Sequence, residues 1–408
     1  MRPLPTLSTA MSGVGAALED KPAEDRILVL RRSTIIALIA FLTLIDLFGS
    51  QALLPTLVKV YDTTPAAMGF AVNASTLGMA AASLIVAIFA RRIDRRKGVW
   101  ICLALLSIPT ALLASADSLA TFTALRIAQG VFMAAAFTLT LTYLSEVCAI
   151  TAIGGAMAAY ITGNVASNLV GRLLASGLAD NLGLAESFYA FALLNLSGAL
   201  LAYLYFTPGL RGGMSETSQT SVFAAWRAHL ANPALSPMFA IGFLLLFVFV
   251  AVFTYANFVL ASAPFELPQM LVGLAYLVFA PAILTTPAAA GAARRFGARR
   301  AFQGSVLVSG LGLAMLLTPS LPLYLLGLTL IGAGLFFAQS VATGYVGRVA
   351  TADHAAANGL YLASYYLGGI AGAFVIGQIN ESLGWAVAVL VLLALTVAIG
   401  LLGRRIAA

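Results

Sequence analysis

The sequence predicts an all-α membrane protein: twelve transmembrane helices in two pseudo-symmetric six-helix bundles. Composition, the length of the apolar runs and a tandem duplication predict it. Hydrophobic residues make up 61% of the 408 residues and charged residues 9%, against roughly 45–50% and about 25% in soluble domains. Most of the surface therefore meets a solvent other than water. A helix needs about 20 apolar residues to cross the hydrocarbon core, and breaking the apolar runs at charged, Pro or Gly positions leaves six such stretches in each half.

The duplication is read from four pairs of sites. The basic stretch from Phe89 to Gly98 returns as Ala293 to Arg300, with Arg91 and Arg294 203 residues apart. Tyr160 aligns with Tyr361 and Gly171 with Gly372, both at a spacing of 201 residues, and Leu182-Gly183 falls on Leu383-Gly384 at that same spacing. A repeat this long is two fused half-proteins, not a solenoid or propeller.

Taken in order, residues 1–32 are rich in Pro, Ser and Ala with scattered charge and no apolar core before a cleavage site, and are expected to be a disordered tail and not a signal peptide. The first bundle covers 33–207, with spans near 34–57, 67–90, 99–116, 120–144, 156–179 and 187–206. A linker follows at 208–234, in which Ser221 to Leu230 could form a short amphipathic helix. The second bundle covers 235–403, with spans near 236–260, 269–292, 302–319, 322–346, 357–379 and 386–403, and 404–408 form a short tail.

Charge placement sets the expected orientation. Of 22 Lys and Arg, only Lys59 falls in a loop on the far side, and only Arg126 and Arg172 fall inside spans. The other nineteen share one side, so the positive-inside rule puts both termini in the cytoplasm. Asp62, Asp117, Asp180, Glu186, Glu266 and Glu381 occupy the opposite loops. The formal charge of +7 is thus a matter of topology, and no nucleic acid is expected as a partner. Cys102 and Cys148 are too few for a disulfide framework or a metal site. His229 and His354 fall in loops and are expected to be solvated.

Three charges sit at membrane depth, where ionisable groups are costly and by default functional. Asp46 lies about 20 Å along span one from its cytoplasmic end, Arg126 about 10 Å below the far surface on span four, and Arg172 about 24 Å along span five. They are expected at similar depth and all belong to the first half. Asp46 could carry a coupled proton or act only as a counter-ion to Arg126 or Arg172. Gln129 follows Arg126 by three residues. Span seven is aromatic, with Phe247, Phe249, Phe253, Tyr255 and Phe258, and spans ten and eleven contribute Gln339, Tyr365 and Tyr366 without buried charge.

The pattern Arg126, Gln129, Gly130 on span four, the basic loops after spans two and eight, and the Gly-patterned span five resemble the major facilitator superfamily of 12-span secondary transporters over residues 33 to 403. Gln51 to Pro55, Gly171 to Ala175, Tyr255 to Asn257 and Pro264 to Leu267 resemble bacterial inner-membrane efflux proteins of the YnfM type, in the drug/proton antiporter group. The resemblance implies the major facilitator fold, a bacterial inner-membrane location and proton-coupled efflux by alternating access. It also implies a site drawn from Asp46, Arg126, Arg172, Gln129, Gln51, Asn164, Tyr255, Asn257, Gln339 and Tyr365, and a gating loop of Arg91, Arg92, Asp94, Arg95, Arg294 and Arg295.

Two departures accompany it. The acid of the family's loop motif is replaced by Arg91, and by Arg294 in the second copy. The antiporter motif of span five reads Gly154, Gly163, Ser167, Asn168, Gly171, Arg172, without its Gly-Pro pair. The alternative function is a facilitator or importer, by uniport or symport, of a small metabolite, anions included. No enzyme is expected, since the spans carry no paired carboxylates, metal-ligand cluster or nucleophile with a His partner, and one-sided charge disfavours a channel. No cofactor is expected beyond a proton gradient. The partners are a small-molecule substrate, protons and the bilayer, and the chain is expected to act as a monomer.

Overall fold

Lipid offers no hydrogen-bond partner to a backbone, so a chain this apolar must satisfy its peptide groups within helices. The computed structural model describes residues 23–89, 93–147, 150–206, 222–350 and 354–406, and among them it is helical with no strand. Arg91, Arg92, Cys148, the first 22 residues and most of the linker lie outside the described residues.

The first half contains α1 (Ala23–Ala52), α2 (Leu54–Val60), α3 (Pro65–Asn73), α4 (Ser75–Phe89), α5 (Arg95–Leu112), α6 (Leu119–Val147), α7 (Ile150–Asn181) and α8 (Leu184–Tyr205). A connecting helix α9 (Val222–Ala231) leads to α10 (Ser236–Ala261), α11 (Gln269–Ala275), α12 (Ala280–Phe296), α13 (Ala298–Met315), α14 (Leu321–Val349), α15 (His354–Leu383) and α16 (Trp385–Leu402). Ten helical stretches among the described residues are long and apolar enough to cross a membrane. The other two predicted spans are α7, which carries Asn164, Asn168 and Arg172, and α13, which opens with Arg299 and Arg300. Their polar content, not their length, sets them apart.

Two expectations are corrected. The tail expected to be disordered through residue 32 is helical from Ala23, because α1 runs back beyond the membrane span that begins at Arg31. His229 is buried, not solvated, on α9, which packs against α15 and α10.

The duplication reappears as matching seams. In the first half α1 packs most extensively on α7, and in the second α10 packs on α15. A Cβ on Gly171 would stand 2.6 Å from the Ile45 carbonyl oxygen, and one on Gly372 would stand 2.3 Å from that of Phe247. Only glycine permits so close an approach of two backbones. About two turns earlier along each seam a repeat position departs: Gly163 lies against Ala37, while its counterpart Ser364 donates to the Phe239 carbonyl at 2.8 Å. Gly183 and Gly384 stand before α8 and α16 with φ of 116° and 83°, a conformation open to glycine.

Several spans are interrupted, and each interruption has a local cause. Pro55 offers no N–H to the Gln51 carbonyl four residues earlier, and α1 stops at Ala52 before α2 resumes. Pro281 does the same to Leu277, and the chain passes from α11 through a 3₁₀ turn, Tyr276–Phe279, into α12. At Ala74, between α3 and α4, no proline acts. There the Ser75 and Thr76 hydroxyls bond back to the Val72 and Asn73 carbonyls at 3.5 and 2.8 Å, competing with the helix's own amides. On the outer surface, α8 exposes Leu193, Leu196, Leu200 and Leu204 at helical spacing, as a face toward lipid requires.

Candidate functional site

The interruptions and the intramembrane polar groups meet at one level, toward the side opposite the chain termini. Asp46 on α1 is fully buried. Its Oδ2 accepts from Thr110 Oγ1 at 3.0 Å, Gln129 Nε2 at 3.0 Å and Asn195 Nδ2 at 3.2 Å, so α5, α6 and α8 all donate to it. Its Oδ1 has no protein partner. The carboxylate is therefore held firmly by one oxygen and open at the other.

Arg126 on α6 is also fully buried. It donates from Nε to the Val72 carbonyl at 2.9 Å, from one terminal nitrogen to Gln129 Oε1 at 2.6 Å and Ser50 Oγ at 3.2 Å, and from the other to Ser75 Oγ at 3.2 Å. Val72 and Ser75 flank the break at Ala74, so the guanidinium fills hydrogen-bonding positions opened there. Asp46 and Arg126 make no direct ion pair. Gln129 stands between them, its amide nitrogen toward the acid and its amide oxygen toward the base. A Cβ on Gly130 would lie 1.8 Å from the Ser75 carbonyl oxygen, so this glycine lets α6 approach the break closely enough for Arg126 to reach it.

Arg172 forms a second centre. Its Nε donates to Asn168 Oδ1 at 3.0 Å, one turn earlier on α7, and a terminal nitrogen donates to Gln51 Oε1. The guanidinium carbon lies 4.0 Å from the centroid of the Tyr276 ring, which belongs to the second half. Gln51 Nε2 donates to Asn73 Oδ1 at 2.7 Å, and Asn73 Nδ2 donates across the halves to Thr254 Oγ1 at 2.9 Å.

The Gln51 carbonyl, freed by Pro55, accepts from Asn257 Nδ2 at 3.2 Å, and the adjoining Ala52 carbonyl accepts from Gln269 Nε2 at 2.8 Å. Tyr276 completes the junction by donating to Asn257 Oδ1 at 2.7 Å. Nearer the surface, Glu381 Oε1 accepts from the Ala66 amide at 2.6 Å in the first turn of α3, where unsatisfied amides favour an anion. The two halves are thus bonded to each other on this side through α1, α3 and α7 from one and α10, α11 and α15 from the other.

The remaining sequence-predicted residues divide. Tyr255 donates to the Ala373 carbonyl at 2.5 Å within its own half. Gln339 accepts from Tyr361 at 3.1 Å, and Tyr365 stacks on Tyr361 at a centroid distance of 6.4 Å. Asn164 is half-buried on α7, one turn from Tyr160, whose hydroxyl donates to the Phe137 carbonyl at 3.2 Å. On the termini side, Asp94 caps α5 by accepting from the Lys97 amide at 3.0 Å. Arg95 donates to the Ile93 carbonyl at 2.8 Å, and Arg294 and Arg295 are exposed in the last turn of α12. The site residues missed from sequence are Thr110, Asn195, Ser50, Ser75, Asn73, Thr254, Tyr276 and Asn168. Asn73, Asn168 and Asn195 did carry a signal: amides inside apolar spans need partners. Tyr276 carried none.

Among the described residues no group of His, Cys, Asp and Glu has the arrangement of a metal site. What the geometry offers instead is a titratable carboxylate with a free oxygen, hydrogen bonds from it through Gln129 and Arg126 to the break at Ala74, whose neighbour Asn73 bonds the other half, and an arginine at the junction of the halves.

Comparison with known proteins agrees with this architecture. The chain is 29% identical over 361 residues to the inner membrane transport protein YnfM of Escherichia coli (strain K12), covering 88% of this chain and 86% of that one. Among solved structures, the inward open conformation of the xylose transporter XylE from E. coli superposes with a TM-score of 0.76 at 14% identity, covering 93% of this chain and 96% of that one. The nucleoside transporter NupG, as a variant, superposes at 0.75 with 16% identity, covering 92% and 99%; both likenesses concern the fold. The sequence profile of the Major Facilitator Superfamily matches residues 36–282 and 263–406, and with the duplicated helical halves around it, this chain belongs to that superfamily: a multi-pass membrane transporter of small molecules, not an enzyme.

Proposed function

We propose that the chain is a proton-coupled exporter of small organic molecules in the bacterial inner membrane, working as a monomer by alternating access with both termini in the cytoplasm. The observation that carries this reading is Asp46, fully buried, triply bonded at Oδ2 and free at Oδ1. A proton arriving at Oδ1 removes the charge without disturbing the donors already on Oδ2. It weakens the pull on Gln129, which loosens in turn its bond to Arg126. From Arg126 the hydrogen bonds run to Ser75 and the Val72 carbonyl beside the Ala74 break, and Asn73, the next residue in the chain after Val72, donates to Thr254 of the other half. Protonation and the closure of the far side would thus bias each other by linkage.

In this reading Asn164, Gln339 and Tyr365 line the route on the termini side, and Tyr255 and Asn257 belong to the outer closure. Asp94 with Arg91, Arg92, Arg95, Arg294 and Arg295 forms the basic rim that gates the cytoplasmic mouth when the site faces outward. The one-sided distribution of the cations supports the orientation. A second reading, a facilitator or importer of an anionic metabolite, is favoured by Arg172, which stands at the last Gly of the antiporter motif, and by Ser167 and Asn168 in place of its Gly-Pro pair.

The test uses everted vesicles energised to an acid interior, to which drugs, sugars, siderophores and amino-acid derivatives are added in turn. Export predicts that a substrate dissipates the proton gradient in vesicles carrying the wild type and not in those carrying Asp46→Asn. Gradient-independent flux that Asp46→Asn leaves unchanged would move the facilitator reading ahead.

A further inference from the structure

Arg172 is a fully buried guanidinium to which no carboxylate among the described residues is bonded. Its protein partners are neutral: Asn168 Oδ1, Gln51 Oε1 and the face of Tyr276. One of its terminal nitrogens has no hydrogen-bond partner, and neither has Nδ2 of Asn168. The same amide that accepts from Arg172 Nε therefore turns its own two N–H groups away unused. An isolated buried charge is expensive, and so is each buried donor left unpaired.

The contrast with Arg126 is informative. Arg126 uses all three of its nitrogens on the protein, at four acceptors, and stands one amide away from Asp46. At Arg172 the fork is half used, one face lies on Tyr276, and Phe279 approaches at 5.8 Å. A guanidinium fork presented edge-on beside aromatic rings matches a planar anion carried on an apolar or aromatic body.

We infer that Arg172 and Asn168, with Tyr276 and Phe279 beside them, form a binding site at the junction of the halves for the anionic group of an organic carboxylate. This deepens the transport reading by naming the class of cargo, and rests on it only for the word cargo. Because Gln51 and Tyr276 come from opposite halves and both touch Arg172, an anion held here is released when the halves part on this side. Occupancy then stabilises the closed junction.

The test is binding without a proton gradient, so its outcome does not depend on coupling through Asp46. Purified full-length protein in detergent is titrated with sodium benzoate, with its neutral isostere benzamide and with sodium chloride, reading the thermal unfolding midpoint. Expected is a saturable rise with benzoate and none with benzamide. Arg172→Gln should weaken the apparent benzoate affinity at least tenfold, and Asn168→Leu several-fold. Arg172→Lys, the variant to use if Arg172→Gln does not fold, should also weaken it, since lysine keeps the charge but not the planar fork. A saturable chloride response that competes with benzoate would keep the anion site and assign it to a free halide. Equal responses to benzoate and benzamide, or benzoate binding unchanged in Arg172→Lys and Asn168→Leu, would overturn the proposal.

Discussion

At Asp46 the side chain and its surroundings divide two roles between two oxygens. Oδ2 is a structural acceptor for α5, α6 and α8, and Oδ1 is free. Asp46→Asn keeps an acceptor for those donors, so the variant should fold close to wild type while losing proton-driven transport. Asp46→Leu removes the acceptor and leaves the buried Thr110, Gln129 and Asn195 donors short of a partner, each at a cost of about 1–3 kcal/mol. Unfolding monitored by circular dichroism should rank wild type above Asn and Asn well above Leu, and equal stability of the two variants would contradict the assignment. Gln129→Leu tests the bridge. It strips one donor from Asp46 and one acceptor from Arg126, each a buried group whose loss costs about 1–3 kcal/mol. It should also uncouple proton from substrate flux while both remain measurable in proteoliposomes.

Helices here matter most where they stop. Pro55 withholds an N–H from the Gln51 carbonyl, and that carbonyl becomes the acceptor for Asn257 in the other half. Pro55→Ala restores the competing amide and should loosen the junction. Spin labels at Thr64 and Ser382, both exposed and in opposite halves, should then show a longer distance component that the wild type lacks. An unchanged distribution would mean that the break is not what recruits Asn257. At the seams the opposite device operates, with close approach of continuous helices. Gly171→Val and Gly372→Val would each push a side chain into a backbone carbonyl, an overpacking that costs roughly 1–3 kcal/mol. Equivalent losses at the two positions, read from thermal unfolding, would express the repeat in energy.

Across the whole molecule, the far side is joined by hydrogen bonds from Glu381, Gln269, Asn257 and Thr254 to the first half, while the cations gather on the termini side. Cysteines at Ser118 and Glu266 should react with an impermeant reagent added to intact cells, and a cysteine at Lys97 only after permeabilisation. The reverse pattern would invert the orientation and every argument about direction that depends on it.

The sequence by itself determined the solvent, the helical class, the duplication and the identity of the buried charges, because these follow from local composition and from period. It also made the Arg126 and Gln129 pair legible, three residues apart on one helix face. The expected spans 34–57 and 269–292 run through Pro55 and Pro281 without a break, and the break at Ala74 had no proline to mark it and rests on hydroxyls that also serve in unbroken helices. Only the tertiary structure decided the partners. Asp46 meets Asn195 over 149 residues and Gln51 meets Asn257 over 206, separations that no periodicity encodes. It also divided the trio between two sets of partners: Asp46 and Arg126 share Gln129, while Arg172 faces Tyr276. Which face of α7 looks toward the second half follows from how α1 packs on α7 and how the halves then meet, so the role of Arg172 belongs to the fold and not to its position in the chain.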